Sequence, residues 1–191
     1  AEYSYLVSAY AIAAFISSLF GVFLLDRFDR KKALVFIYTG FAVGTLMCAF
    51  AESYLALILL RFGTGLFGGM IGALVLSVVS DLYLFKERGA AMGILFAAFS
   101  AASALGVPIG IYLAAKGDWQ MPFLIIGMIG LVISTFIMFK FPSMTAHFNA
   151  VEKKPSFTET ITAITDDPNQ VNALLAGFVL VLAHFLIIPF I

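Results

Sequence analysis

Acidic side chains are missing from every long apolar stretch of this chain, and charge of either sign is scarce, with Asp, Glu, Lys and Arg at 12% of the residues. Soluble domains carry about 25% charged residues, so a molecule wetted on all sides is excluded. The lone cysteine, Cys48, rules out an internal disulfide and any cysteine-based zinc set. The two histidines, His147 and His184, are too isolated to suggest a metal site. No phosphate-binding Gly-Lys-Ser occurs, which argues against direct use of ATP. Gly63-Thr64-Gly65-Leu66-Phe67-Gly68 matches Gly-x-Gly-x-x-Gly, yet no strand precedes it and it lies in a membrane-length apolar run after an arginine. A dinucleotide site needs a strand, a turn and a helix in that order, so no cofactor is expected.

What the chain has in quantity is apolar surface, 62% of its residues. A bilayer core of about 30 Å takes roughly 20 apolar residues per helix. Six such runs are present, at about 4–25, 33–51, 54–80, 89–115, 121–139 and 173–191. Each is predicted to be a helix, because an isolated strand cannot satisfy its backbone in lipid. The fold class is therefore an all-α polytopic membrane protein, a partial helical bundle of about six transmembrane helices surrounded by lipid.

The charges that remain are placed unevenly. Asp26-Arg27-Phe28-Asp29-Arg30-Lys31-Lys32 holds four of the eleven basic residues between two apolar runs and is predicted to be a tight cytoplasmic hairpin. That threading puts 81–88 (Lys86, Arg88) and 140–172 (Lys140, Lys153, Lys154) on the same side, nine basic residues in all. The opposite side receives Lys116, with Glu52 and Asp118, and Arg61 falls inside a run. Nine against one is a strong orientation signal.

The ends read as cuts. No Met opens the chain, no signal sequence precedes the first run, and the last run stops at Pro189-Phe190-Ile191 without a polar flank. With Ala1 outside the cytoplasm, one helix upstream is expected, which makes these runs helices two to seven of a larger protein. The predicted organisation is residues 1–140 as helices two to six of an amino-terminal half, 141–172 as a cytoplasmic central loop, and 173–191 as the start of helix seven. Inside the loop, Ser156-Phe157-Thr158-Glu159 fits a capping box, and Phe157, Ile161 and Ile164 follow at helical spacing before Asp166-Asp167-Pro168. A short amphipathic helix along the inner face and a plain linker both fit that segment.

Leu24-Leu25-Asp26-Arg27-Phe28-Asp29-Arg30-Lys31 resembles the loop between helices two and three of the major facilitator superfamily, which runs Gly-x-Leu-x-Asp-Arg-x-Gly-Arg-Lys. Here Val22 and Asp29 stand where that pattern has glycine. Leu57-x-x-x-Arg61-Phe62-Gly63-Thr64-Gly65 looks like the helix-four motif of the drug and sugar efflux branches, with Thr64 for the usual Gln. Gly106-Val107-Pro108-Ile109-Gly110 resembles the Gly-x-Pro-x-Gly version of the antiporter motif. With Asp81, Glu87-Arg88-Gly89 and Gly117-Asp118-Trp119, the resemblance covers nearly the whole chain. It implies a secondary transporter, most like the efflux (proton antiporter) branches. Such a protein holds a small-molecule substrate near the midplane between two six-helix halves and exports it by alternating access coupled to protons.

Asp26, Arg27, Asp29 and Arg30, extended by Asp81 and Arg88, can form a charge network that holds one conformation and breaks in another. Solvated orientation charges are the plainer explanation. Arg61 near the centre of a span costs about 2.5 to 3.5 kcal/mol on insertion scales and so should face a cavity or a counter-charge, or snorkel outward from about two turns deep. An acid paired with it is expected on a helix outside this chain, since none of the six runs contains one. His184 lies in the last run, where an imidazole suits a proton site or a hydrogen bond to a neighbouring helix. Gly65, Gly69 and Gly72, with Gly93, Ala97, Ala101 and Ala104, give faces that let helices approach closely. Pro108 can bend its helix between Gly106 and Gly110.

The reading is a small-molecule exporter in a cell membrane, most simply a bacterial inner membrane. Its partners are lipid, a small solute, protons and the remainder of its own chain, with no nucleic acid. A nutrient symporter or facilitator of the same fold and a non-transporting receptor remain alternatives. A membrane enzyme would need polar catalytic clusters at a membrane face, which the sequence does not offer.

Overall fold

The computed structural model describes residues 2–25, 28–141 and 157–187. Seven helices follow in order: α1 (Glu2–Leu25), α2 (Arg30–Cys48), α3 (Tyr54–Leu82), α4 (Phe85–Lys116), α5 (Met121–Lys140), α6 (Phe157–Asp166) and α7 (Pro168–Ile187). Among the described residues, α2, α3, α4 and α5 are long and apolar enough to cross a membrane, and α1 carries an apolar stretch over Tyr5–Leu19. The chain divides into two compact units, Ala1–Asn149 and Ala150–Ile191.

The helix ends differ from the sequence reading in a consistent way: charged neighbours join the first and last turns. Asp29 caps α2 by accepting from the Lys31 amide at 2.8 Å, so Arg30, Lys31 and Lys32 form the first turn of α2 rather than a hairpin loop. The 81–88 loop shrinks to Tyr83 and Leu84: Asp81 sits in the last turn of α3, and Lys86, Glu87 and Arg88 open α4. Glu87 there complements the positive helix end. At 29 residues, α3 is about 44 Å long, more than a hydrocarbon core, which lets Asp81 stand clear of it. Ser53 caps the other end of α3 by accepting from the Ala56 amide at 3.2 Å.

In the first unit α3 packs on α1 and on α2, and α2 packs on α5. Close approach along α1 and α3 needs small residues. A Cβ on Gly65 would lie 2.5 Å from the Tyr10 carbonyl oxygen, and one on Gly69 would overlap Ala14 and Ser17. Ser17 donates to the Ala14 carbonyl at 3.2 Å and reaches the Gly65 carbonyl at 3.5 Å. Between α2 and α5, the Thr39 and Ser134 hydroxyls meet at 2.6 Å, and the Cβ that Gly127 lacks would press on Leu46. Ala33, Leu34 and Ile37 of α2 close a core on Leu74 of α3.

The fourth apolar run behaves otherwise. No residue of α4 is buried, and Gly93, Gly106 and Gly110 have open space where a Cβ would point. Gly72 of α3 is equally open. Among the described residues these glycines therefore bring no helices together, whereas Gly65 and Gly69 do. Pro108 lies inside α4, which continues through it.

In the second unit α6 packs against α7. Asp167 separates them and caps α7, accepting from the Asn169 amide at 2.9 Å. Helix α7 thus opens at Pro168, five residues before the apolar run that suggested it, since proline suits a first helical position.

Candidate functional site

Two polar features stand out in the first unit, at opposite ends of α3. Arg61 lies two turns in from the amino end of α3, about 10 Å along the helix axis at 1.5 Å per residue. Asp81 lies twenty residues further on, about 30 Å away, close to the thickness of a hydrocarbon core.

Arg61 points into a cavity of about 620 Å³, a size that suits small-molecule sites. The cavity is walled by Leu6 and Tyr10 of α1, by Leu57 of α3, by Trp119 in the turn before α5 and by Phe123 in its first turn, with Glu52 at its rim. The Arg61 guanidinium carbon stands 4.5 Å from the centre of the Phe123 ring and 5.9 Å from that of Tyr10. Ring faces carry negative charge, and such contacts contribute about 0.5 to 2 kcal/mol, the upper end where water is excluded. Two aromatic faces thus offset part of the cost of placing a cation in a span. Among the described residues no carboxylate comes within ion-pair reach of Arg61. Its backbone carbonyl accepts from the Thr64 hydroxyl at 2.9 Å, which fastens the turn that carries it. Thr64 itself is almost fully buried.

At the far end of α3, Arg30 forms an ion pair with Asp81. Arg30 is buried, while the Asp81 side chain keeps 31% of its surface. The pair ties the first turn of α2 to the last turn of α3. The Asp29 side chain caps α2. Arg88 donates through Nε to the Tyr83 carbonyl at 3.1 Å and forms no ion pair with Asp81. Asp26 and Arg27 lie outside the described residues, as does the side chain of His184, whose backbone is part of α7.

Of the residues singled out from sequence, the structure brings together Arg30 with Asp81 and leaves Arg61 separate from both. Tyr10 and Phe123 went unnoticed, and Glu52 was read only as a charge on the outer side, because their place at the cavity arises from tertiary packing. The one local signal was the cluster of Tyr54, Trp119 and nearby charges at the same predicted membrane face, where aromatic belts form.

A family model described as Major Facilitator Superfamily matches residues 1–191. A vacuolar membrane amino acid uptake transporter of Schizosaccharomyces pombe is 32% identical over 151 residues, 78% of this chain and 26% of that protein. An uncharacterised transporter of the same superfamily from Bacillus subtilis is 26% identical over 182 residues, 95% of this chain and 44% of that protein. Multidrug resistance protein 2 of Bacillus subtilis is 33% identical over 137 residues, 70% of this chain and 34% of that protein. The chain thus spans less than half the length of each of these relatives.

Proposed function

The chain belongs to the major facilitator superfamily, and from that premise we propose that it contributes the Arg61 cavity and one cytoplasmic gate to a secondary active transporter that exports a small molecule by alternating access. It is a multi-pass membrane protein of a transporter family. The observation that carries the reading is Arg61, a cation held inside a membrane-length helix against Phe123 and Tyr10 at the wall of a ligand-sized cavity. Intramembrane charge is costly and is retained where solutes or ions are handled.

With Arg30, Lys31 and Lys32 on the cytoplasmic side, the cavity opens toward the opposite side and the Arg30–Asp81 pair lies at the inner one. In the proposed cycle, rocking of the helices breaks and remakes that pair, while Arg61 meets the solute when the outer side is open. Arg27, Asp26 and Arg88 are proposed to join the inner charges as the gate moves. Protons are proposed as the coupling ion, moving opposite to the solute, with His184 as a candidate carrier. Pro108, Gly106 and Gly110 would let α4 bend during the change. A cell membrane, of bacterial inner-membrane type, is the proposed location, and the rest of the protein is the partner that completes the solute path.

The outward direction is supported by the relative named for multidrug resistance. The relative named for amino acid uptake supports a second reading, a symporter or facilitator of the same fold. The two part company in proteoliposomes holding the full-length protein. An exporter of the proposed kind accumulates solute on the side from which protons leave, whereas co-accumulation with protons selects the symporter. Solute flux that ignores an imposed pH gradient defeats proton coupling in either form.

A further inference from the structure

The Arg61 cavity carries one charge of each sign. Arg61 stands in its wall and Glu52 at its rim, and neither has an ion-pair partner among the described residues. The surface between them is apolar and aromatic, including Leu6, Leu57, Trp119 and Phe123. We propose that this cavity binds a small zwitterion with an apolar body, its carboxylate on the Arg61 guanidinium and its ammonium at Glu52. This deepens the transporter reading, on which it rests, by naming the substrate class.

The chemistry follows from the geometry. The Arg61 guanidinium carbon lies over the Phe123 ring, and among the described residues no side-chain hydrogen bond occupies its N–H fork, which matches a carboxylate bidentately. The Phe123 and Tyr10 rings beside the guanidinium also exclude water from it, which strengthens a charge-assisted hydrogen bond made there. A ligand bearing only a carboxylate would satisfy Arg61 but set a second negative charge near Glu52. A ligand bearing only an ammonium would meet Glu52 but oppose Arg61. An uncharged ligand would displace water from Arg61 and return at most a neutral hydrogen bond, weaker than a charge-assisted one. Only a ligand with both charges answers both ends, and its apolar part then lies against Leu57, Phe123 and Trp119. A volume of about 620 Å³ leaves room for an aromatic or branched side chain.

Four compounds of one shape separate these cases: L-phenylalanine, its methyl ester, N-acetyl-L-phenylalanine and 3-phenylpropanamide. Isothermal titration of each into the full-length protein in detergent should give L-phenylalanine an affinity at least tenfold above that of each of the other three. In Glu52→Gln the advantage of L-phenylalanine over N-acetyl-L-phenylalanine should fall at least fivefold. Exposure of Glu52 means that this variant keeps the wild-type melting temperature. An advantage below tenfold in the wild type, no binding of L-phenylalanine, or an unchanged advantage in Glu52→Gln overturns the assignment. Flux of the same protein in proteoliposomes distinguishes the two levels. The expected ranking without any solute movement defeats the transport reading and leaves the binding site, while solute movement without the ranking defeats the zwitterion alone.

Discussion

Phe123 of α5 lies beneath the Arg61 guanidinium of α3, with 4.5 Å between the ring centre and the guanidinium carbon. The contact joins two helices that otherwise have little to do with one another, since α2 lies between them in the packing order. It also explains how a cation persists inside a membrane-length helix without a carboxylate beside it among the described residues.

Loss of that ring should be felt. Phe123→Leu removes the quadrupole and keeps most of the apolar contact, so it should cost about 1 to 2 kcal/mol in stability, read as a lower melting temperature of the purified protein. Phe123→Trp should retain the wild-type value, because an indole face binds a cation at least as well. Equal losses in both variants would mean that packing, and not the charge, holds Phe123.

The inner ion pair gives a sharper test of coupling. Asp81→Asn removes a counter-charge from the buried Arg30, and a loss of about 2 to 4 kcal/mol is expected, below the fully buried range because Asp81 is partly exposed. Arg30→Gln together with Asp81→Asn should recover part of it. A double-mutant cycle with a coupling under about 0.5 kcal/mol would show the two side chains to be independent.

Glycines on α3 should divide by sign. Gly69→Ala pushes a methyl into Ala14 and Ser17 and should destabilise the α1–α3 contact. Gly72→Ala meets open space in the described structure and should gain up to about 1 kcal/mol from helix propensity. Melting temperatures of the two variants, compared with wild type, check the contrast.

The Thr39 and Ser134 hydroxyls, 2.6 Å apart, form a polar bridge between α2 and α5. Hydrogen bonds between membrane helices average about 0.6 kcal/mol by double-mutant cycle, so Thr39→Ala and Ser134→Ala should couple by about that amount. Thr39 also donates toward the Val35 carbonyl at 2.6 Å, so Thr39→Ala alone should cost more than Ser134→Ala.

Much of this architecture was legible in the sequence, and the reasons are local. Uninterrupted apolar runs can only be helices in lipid, and their positions fall close to α1 to α5 and α7. Helix ends were less legible, because Asp29 and Asp167 cap helices that begin earlier than hydropathy suggests. Arg61 announced itself through its cost in a span. Its surroundings did not, since Tyr10 and Phe123 come from 51 residues before and 62 residues after it and meet it only once α1, α3 and α5 are in place. The small residues of α4 show a related limit: composition shows that a face permits close approach and does not show which helix lies against it, and among the described residues none does.

Solute flux through proteoliposomes containing the full-length protein, wild type against Arg61→Gln at matched protein per lipid, tests the central claim most directly. If the Arg61 cavity is the place where solute is held, the variant should be correctly inserted and its flux at least tenfold lower. Wild-type flux from a correctly inserted Arg61→Gln protein would contradict the account and move the solute path away from this cavity.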